Sequence, residues 1–155
     1  MADASSSAEE LALTLTRAGL QKMTSRVLAA LLFSEQETIT AGEIADRLGA
    51  SPGSVSGAIK SLGSVGLIEP VPAPGSRRTH YRFPDDGWAR LMSTQNAMIG
   101  YMRDAAERGL DAVDGDSRAR RRLTEMRDFY TYLMRELPAL IDRWYATRED
   151  TGTPD

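Results

Sequence analysis

Small hydroxyl-bearing side chains and one cation are concentrated in residues 51–65, a stretch without any acidic residue. The candidate contact residues of this stretch are Ser51, Ser54, Ser56, Gly57, Lys60 and Ser61. Hydroxyl groups bond to base edges or phosphate oxygens, lysine neutralises a phosphate, and a slim helix face fits the major groove of duplex DNA. The stretch therefore predicts a DNA-reading helix. The alternative is a solvated helix that happens to be rich in serine.

A second group of cations follows a Pro–Gly turn. Arg77 and Arg78 are expected at the tip of a hairpin or in the first residues of its return strand, where arginines reach the minor groove. The alternative is that they pair with Glu69 or Asp85. His80 alternates onto the same hairpin, and we interpret it as a phosphate contact or a packed side chain rather than as a pH switch.

The charge of the chain is unevenly distributed. The formal net charge is −3, yet residues 47–84 carry five basic side chains against one acid, Glu69, which gives this window a net charge of +4. A basic window binds phosphate locally whatever the total charge, so duplex DNA is the predicted partner. The basic run formed by Arg118 and residues 120–122 is interpreted as a solvated, ion-paired face in preference to a second DNA contact.

Several kinds of chemistry are disfavoured by what the sequence contains. There is no cysteine and a single histidine, which argues against disulfides and against zinc or iron sites. Asp85 and Asp86 are adjacent rather than convergent, and no nucleophile has an evident base partner. We therefore expect no enzyme activity, metal or cofactor. No apolar run approaches the ~20 residues of a membrane span and no secretory signal is evident, so we expect a cytoplasmic protein without a membrane partner.

The elements that must position these residues begin with two closely spaced helices. Thr40 and Glu43 form the pattern of a capping box, and Gly49 is suited to end the helix that they start. Ser51 as N-cap and Pro52 as first helical residue then start the DNA-reading helix. Two helices joined so tightly are typical of a helix-turn-helix. Thr40 is in addition a candidate phosphate contact at its helix start.

The rest of the chain extends this motif on both sides. Strands at residues 67–71 and 77–83 would form a wing, with Pro70 and Pro72 restricting the first of them to a sheet edge. The predicted organisation is a disordered lead-in at residues 1–8, N-terminal helices at 9–34, a winged helix-turn-helix at 38–84, long C-terminal helices at 86–148 and a flexible tail at 149–155. The fold class is thus mostly α with a small β-wing, flanked by dimerisation helices.

Apolar residues in residues 86–148 recur at intervals of three and four. Such spacing predicts helix-on-helix seams, often between subunits, and hence a homodimer. Pro138 is expected to kink or restart the second long helix, because proline removes one backbone hydrogen bond and crowds the preceding turn.

Six segments of the chain carry a family resemblance: ITAGEIADRL (39–48), SPGSVS (51–56), GLI (66–68), GSRR (75–78), ELPAL (136–140) and RW (143–144). Together they resemble the MarR family of regulators, with the GbsR-like actinobacterial branch the most similar. The resemblance covers nearly the whole chain. It implies a homodimer that reads a palindromic operator through two winged heads and represses transcription until a small ligand binds.

The residues leave the ligand open. Met98, Met102, Phe129 and Tyr130 could line a cavity for a small apolar or aromatic effector, since methionine makes a cavity adaptable. Their heptad spacing favours simple core packing instead. The alternative function is a winged-helix protein–protein interaction module without DNA binding, which predicts an apolar patch on the outer face of residues 51–65.

Overall fold

A computed structural model describes residues 3–151, which are mostly helical with a small three-stranded sheet. The elements in chain order are α1 (Ala4–Arg17), α2 (Lys22–Leu32), β1 (Ile39–Thr40), α3 (Ala41–Leu48), α4 (Pro52–Ser64), β2 (Glu69–Val71), β3 (His80–Arg82), α5 (Gly87–Asp111) and α6 (Arg118–Thr151). The predicted fold class is confirmed. The chain divides into two compact units, the head up to Leu91 and the long-helix region from Met92 onward.

Local capping defines the helix-turn-helix within the head. The Thr40 hydroxyl accepts from the Glu43 backbone N–H at 3.2 Å, and the Glu43 carboxylate accepts from the Thr40 backbone N–H at 2.8 Å. Gly49 ends α3 with a φ of 58°, a left-handed conformation that suits glycine. Ser51 is the N-cap of α4 and Pro52 its first residue. Both predicted helix starts are therefore confirmed.

The sheet is antiparallel in the order β1-β3-β2, which leaves β2 at an edge. Pro70 lies opposite Tyr81, and its missing N–H is tolerated because one side of an edge strand needs no donors. The edge position was predicted, but both wing strands are shorter than expected. Pro72 cannot donate to the ladder and a turn follows it, so pairing stops at Val71.

The head has a closed hydrophobic core drawn from α2 to the residues just before β2. Its buried members are Val27, Leu28, Leu31, Ile39, Ile44, Ala45, Val55, Ala58, Ile59, Leu62, Leu67 and Ile68. Val55, Ala58, Ile59 and Leu62 recur at helical spacing, so α4 buries one face and leaves the other to solvent. This packing holds the outward face of α4 in a fixed orientation.

The long-helix region consists of α6 and the part of α5 that follows Leu91. A Cβ at Gly109 would come within 3.0 Å of Leu123, and one at Gly100 within 4.0 Å of Met134, so the two helices run antiparallel. The Arg120 guanidinium donates to the Val113 carbonyl at 2.7 Å and satisfies an acceptor just past the end of α5.

Some boundaries differ from the predicted ones. Helix α1 begins at Ala4, so residues 4–8 are helical rather than a disordered lead-in, and residues 1–2 lie outside the described residues. The reason is packing: Ala8 and Ala12 line one cleft with Ala29 and Ala30 of α2, and tertiary contact outweighs weak propensity.

The C-terminal helix also differs from its prediction. It continues through Pro138 without a restart and reaches Thr151. One missing backbone hydrogen bond is a small loss in a helix of 34 residues. The flexible tail predicted from residue 149 is therefore helical as far as Thr151, and residues 152–155 lie outside the described residues.

Candidate nucleic-acid interface

The outward face of α4 carries the predicted contact residues. All six are exposed: Ser51, Ser54, Ser56, Gly57, Lys60 and Ser61. The Ser51 and Ser54 hydroxyls lie 2.8 Å apart and share a hydrogen bond at the N-terminal end of the helix, where a DNA-reading helix makes its base contacts. Two hydroxyls in mutual contact keep free lone pairs for a further partner.

Two glycines make this face slim. Apart from the adjacent backbone of α4 itself, a Cβ built at Gly53 or at Gly57 has no heavy atom of the protein within 4 Å. The absence of a side chain at Gly57 is therefore not required by the packing of the head, although glycine destabilises a helix interior. A face that is narrower than folding requires allows another molecule to approach the helix backbone closely.

The wing loop, residues 72–79, joins β2 to β3. It is stabilised by the Ser76 backbone N–H, which donates to the Ala73 carbonyl at 3.0 Å, and by the Arg78 backbone N–H, which donates to the Ser76 hydroxyl at 3.1 Å. Arg77 and Arg78 are exposed in this loop and precede β3, which begins at His80, so neither is a strand residue.

The acids considered as alternative partners of Arg77 and Arg78 do not pair with these two arginines. Both carboxylate oxygens of Glu69 are taken by Arg82 and Arg90. Among the side chains described, those of residues 3–149, none forms an ion pair with Arg77 or Arg78. The wing loop therefore presents two exposed arginines without an acidic partner, and the Arg78 guanidinium lies near Gly42 of α3.

His80 is a packed side chain that ties the wing to the head. Its Nδ1 lies 3.0 Å from the Thr38 hydroxyl and its Nε2 lies 3.2 Å from the Ser76 hydroxyl. Of the two interpretations of His80, this geometry favours packing over phosphate contact, because both ring nitrogens already have hydroxyl partners.

Thr40 has its predicted capping role, but its hydroxyl is not available to a phosphate. The hydroxyl donates to the Glu43 carboxylate at 2.8 Å, and the residue is only 5% exposed. The backbone N–H and hydroxyl of Thr40 lower the pKa of the Glu43 carboxyl group. The phosphate role predicted for Thr40 is therefore corrected: the capping box uses the hydroxyl and the core covers it.

One polar cluster of the head was missed by the sequence analysis. Arg90, on the first turn of α5, binds both Glu69 and Asp86 at 2.7 Å, and Arg82 binds Glu69 at 2.7 Å. Hydrogen bonds from Arg90 and then Arg82 lower the pKa of Glu69. The i, i+4 spacing of Asp86 and Arg90 is a sequence signal for one of these pairs. The contacts to Glu69 depend on tertiary structure.

The four residues considered for an effector cavity lie in the long-helix region. Met98 and Phe129 are each 56% exposed, while Met102 and Tyr130 are half-buried. A cavity enclosed by these residues would need a further surface to cover them.

The basic run at the start of α6 is partly engaged within the protein. Arg121 pairs with Asp116 at 2.8 Å, and Arg120 donates to the Val113 carbonyl. The bond to Asp116 favours the ion-paired interpretation for Arg121, whereas Arg120 is engaged by a backbone carbonyl.

The described residues contain neither a metal-site cluster nor a membrane-spanning helix. Among the side chains of residues 3–149, no three histidine or acidic groups come together as a metal-ion site would require. No helix of that part of the chain has the length and apolar character needed to cross a membrane.

Comparisons with known proteins agree with this geometry. A model of the MarR family matches residues 18–79, and a model described as MmpR5-like MarR family transcriptional regulator matches residues 86–148. The HTH-type transcriptional regulator MmpR5 of Mycobacterium tuberculosis is 31% identical over 137 residues, which are 88% of this chain and 81% of that protein. A crystal structure described as a transcriptional regulator has a TM-score of 0.81 at 28% identity, covering 90% of this chain and 95% of the other.

Proposed function

This chain belongs to the MarR family of transcriptional regulators, and from that premise we propose that it binds duplex DNA sequence-specifically as a homodimeric repressor. In this proposal α4 enters the major groove and the wing loop reaches the adjacent minor groove. DNA contacts come from the six exposed residues of α4 and its N-cap, together with Arg77 and Arg78. The protein acts in the cytoplasm, where its DNA target lies.

The observation that carries this proposal is the chemistry of the outward face of α4. The whole of α4 is described, and it exposes no large apolar side chain and no acid. Lys60 is exposed on it, and Arg77 and Arg78 are exposed in the wing loop of the same unit. A protein–protein module would need an apolar anchor at this face. Hydroxyls, cations and bare backbone instead suit phosphates and base edges.

The homodimer is supported by the long-helix region. Exposed aromatic and aliphatic side chains follow one side of α6 at helical spacing, namely Phe129, Tyr132, Leu140 and Trp144. An apolar stripe of this kind is typical of a helix that packs against another helix. A two-fold dimer would place two copies of α4 in successive major grooves, about 34–36 Å apart, and therefore on a palindromic operator.

We base the proposed repression, and its relief by an effector, on membership of the MarR family. We place an apolar or aromatic effector against Met98, Met102, Phe129 and Tyr130, on the condition that a second protomer covers the exposed members. The narrower assignment to the GbsR-like branch stays a prediction, because the family model that matches the long helices is described as MmpR5-like.

The DNA-binding proposal is tested with genomic fragments selected by the purified protein. Lys60→Ala should weaken binding to a selected fragment by roughly tenfold and reduce the slope of log K against log salt by about one. The matched control is Lys22→Ala, which removes an equal charge from an exposed position on α2. Equal effects of the two variants would contradict the assignment of α4 as the reading helix.

The wing is tested separately with Arg77→Ala, for which a similar loss of affinity and salt slope is expected. Arg118→Ala is the control, because it removes an exposed arginine from the start of α6. A larger loss in Arg118→Ala would place the DNA contact at that basic run instead.

A further inference from the structure

Glu69 is the only acid in residues 47–84, and it lies at the base of the wing. Both of its carboxylate oxygens are used: Oε1 accepts from the Arg82 Nε at 2.7 Å, and Oε2 accepts from the Arg90 Nη1 at 2.7 Å. Glu69 belongs to β2, Arg82 to β3 and Arg90 to the first turn of α5. One carboxylate thus joins three elements.

Arg90 is held from two further directions. Its Nε lies 2.7 Å from an Asp86 carboxylate oxygen. A Cβ at Gly66 would come within 3.0 Å of the Arg90 Cβ, so the turn before β2 packs directly on the Arg90 side chain. The φ of 80° at Gly66 also favours glycine at that position. We call Asp86, Arg90, Glu69 and Arg82 the wing clasp.

The wing clasp closes the base of a hairpin that is weak by itself. Strands β2 and β3 have three residues each, and hairpins of this size are marginally stable alone. The wing loop between them carries Arg77 and Arg78, whose long side chains lose conformational freedom on binding. When the base of the hairpin is already fixed, the backbone of the wing loop loses less conformational entropy on binding.

We propose that Glu69 is a positioning residue for DNA binding, which holds the wing through the clasp so that Arg77 and Arg78 meet the duplex. The inference rests on the proposed DNA-binding function. It reverses the simple electrostatic expectation, in which removal of an acid from a basic window strengthens phosphate binding. Here neutralising Glu69 weakens binding, because positioning of the two wing arginines outweighs one unit of repulsion.

The variant Glu69→Gln tests the sign of the effect. Arg82 and Arg90 bond to different oxygens of Glu69, and an amide replaces one of those oxygens by an NH2 donor that faces a guanidinium group. We expect Kd for a selected fragment to rise on the order of 3- to 10-fold in fluorescence anisotropy at fixed salt. The control is Asp46→Asn, which adds the same charge at an exposed position of α3 and should leave Kd unchanged or lower. An unchanged or lower Kd in Glu69→Gln would overturn the inference.

A double-mutant cycle tests whether Glu69 acts through the wing arginines. In an Arg77→Ala/Arg78→Ala background, Glu69→Gln should have little further effect on Kd. A full additive loss would contradict positioning and indicate a separate role. Glu69→Asp keeps the charge and both oxygens and should bind close to wild type, whereas loss in this variant equal to that of Glu69→Gln would also contradict the inference.

Stability is measured in parallel by thermal unfolding. The ion pairs of Glu69 are only partly buried and such pairs contribute little, so Tm of Glu69→Gln should stay within a few degrees of wild type. If this variant unfolds, Arg90→Lys replaces it, since it keeps the charge but loses the fork that binds Glu69 and Asp86, and the same loss of affinity is expected.

Failure of the wild-type protein to bind any duplex overturns the proposed function. Wild-type binding without loss in these variants overturns only the positioning role.

Discussion

The head and the long-helix region differ in how far each buries its own apolar residues. The head encloses a cluster of twelve buried side chains. Among residues 92–149 only Ala106 and Leu110 are buried, while Met98, Tyr101, Phe129 and Trp144 are about half exposed or more. A helix pair with so little buried apolar surface gains little stability from burial. The head therefore forms its core within one chain, whereas the long-helix region leaves most of its apolar side chains exposed, and it is there that we propose a second copy binds.

The largest effect is expected in the core of the head. Leu62 is 1% exposed on the inner face of α4, so Leu62→Ala leaves a cavity and should cost about 2–5 kcal/mol of unfolding free energy. Chemical denaturation followed by circular dichroism measures it. The neighbouring exposed residue is the control: Ser61→Ala should change stability by less than about 0.5 kcal/mol. Equal losses of unfolding free energy in Leu62→Ala and Ser61→Ala would contradict the burial of Leu62 in the core of the head.

The next effect concerns the exposed stripe of the long-helix region. If a second copy covers Phe129, Phe129→Ala should raise the dimer dissociation constant on the order of tenfold, which sedimentation equilibrium measures. Thr131→Ala is the control on the same helix, because two residues correspond to about 200° of rotation. If the wild-type protein sediments with the mass of one chain, a second copy does not cover the exposed stripe of α6.

A smaller effect separates stability from binding within the head. Gly57→Ala should stabilise α4 by about 0.5–1 kcal/mol, since nothing in the protein opposes a methyl group there. The same variant should weaken DNA binding by widening the reading face. Gly63→Ala is the control, because its Cβ makes only ordinary contacts and lies on another side of α4. Tighter DNA binding by Gly57→Ala would contradict the close approach.

The smallest effect is a pH dependence of the head. The pKa of Glu43 is lowered from 4.5 by its bonds to Thr40, so its stabilising contribution is present above pH 4.5 and is lost as pH falls through the lower folded-state pKa. Glu43→Gln should therefore flatten the decrease of stability below pH 4.5. The control Glu37→Gln changes an exposed acid outside this capping box. If the unfolding free energies of wild type and Glu43→Gln fall in parallel below pH 4.5, Glu43 does not cause this pH dependence.

Local signals explain what the sequence could predict. A capping box at Thr40, the left-handed turn at Gly49 and the Ser51–Pro52 helix start depend on neighbouring residues, and all three are present. The exposure of the α4 residues followed from helical periodicity in the same way. The sequence was therefore sufficient for the helix-turn-helix and its outward face.

Features that depend on distant contacts were missed or displaced. The start of α1 at Ala4 depends on packing against α2, the length of β3 depends on its partner strands, and the wing clasp joins residues as far as 21 positions apart. Burial of the Thr40 hydroxyl likewise follows from its position in the folded head. Propensity and spacing carry no information about such contacts, so the sequence could not supply them.

The most direct test of the account is a hydroxyl-radical footprint of the wild-type protein on a selected genomic fragment. If the heads read DNA and the long helices pair two chains, as proposed, the footprint shows two protected patches related by a dyad, about 10–10.5 base pairs from centre to centre or a multiple of that spacing. A single protected patch would contradict the pairing of two heads. A uniform pattern without any protected patch would contradict sequence-specific reading by α4.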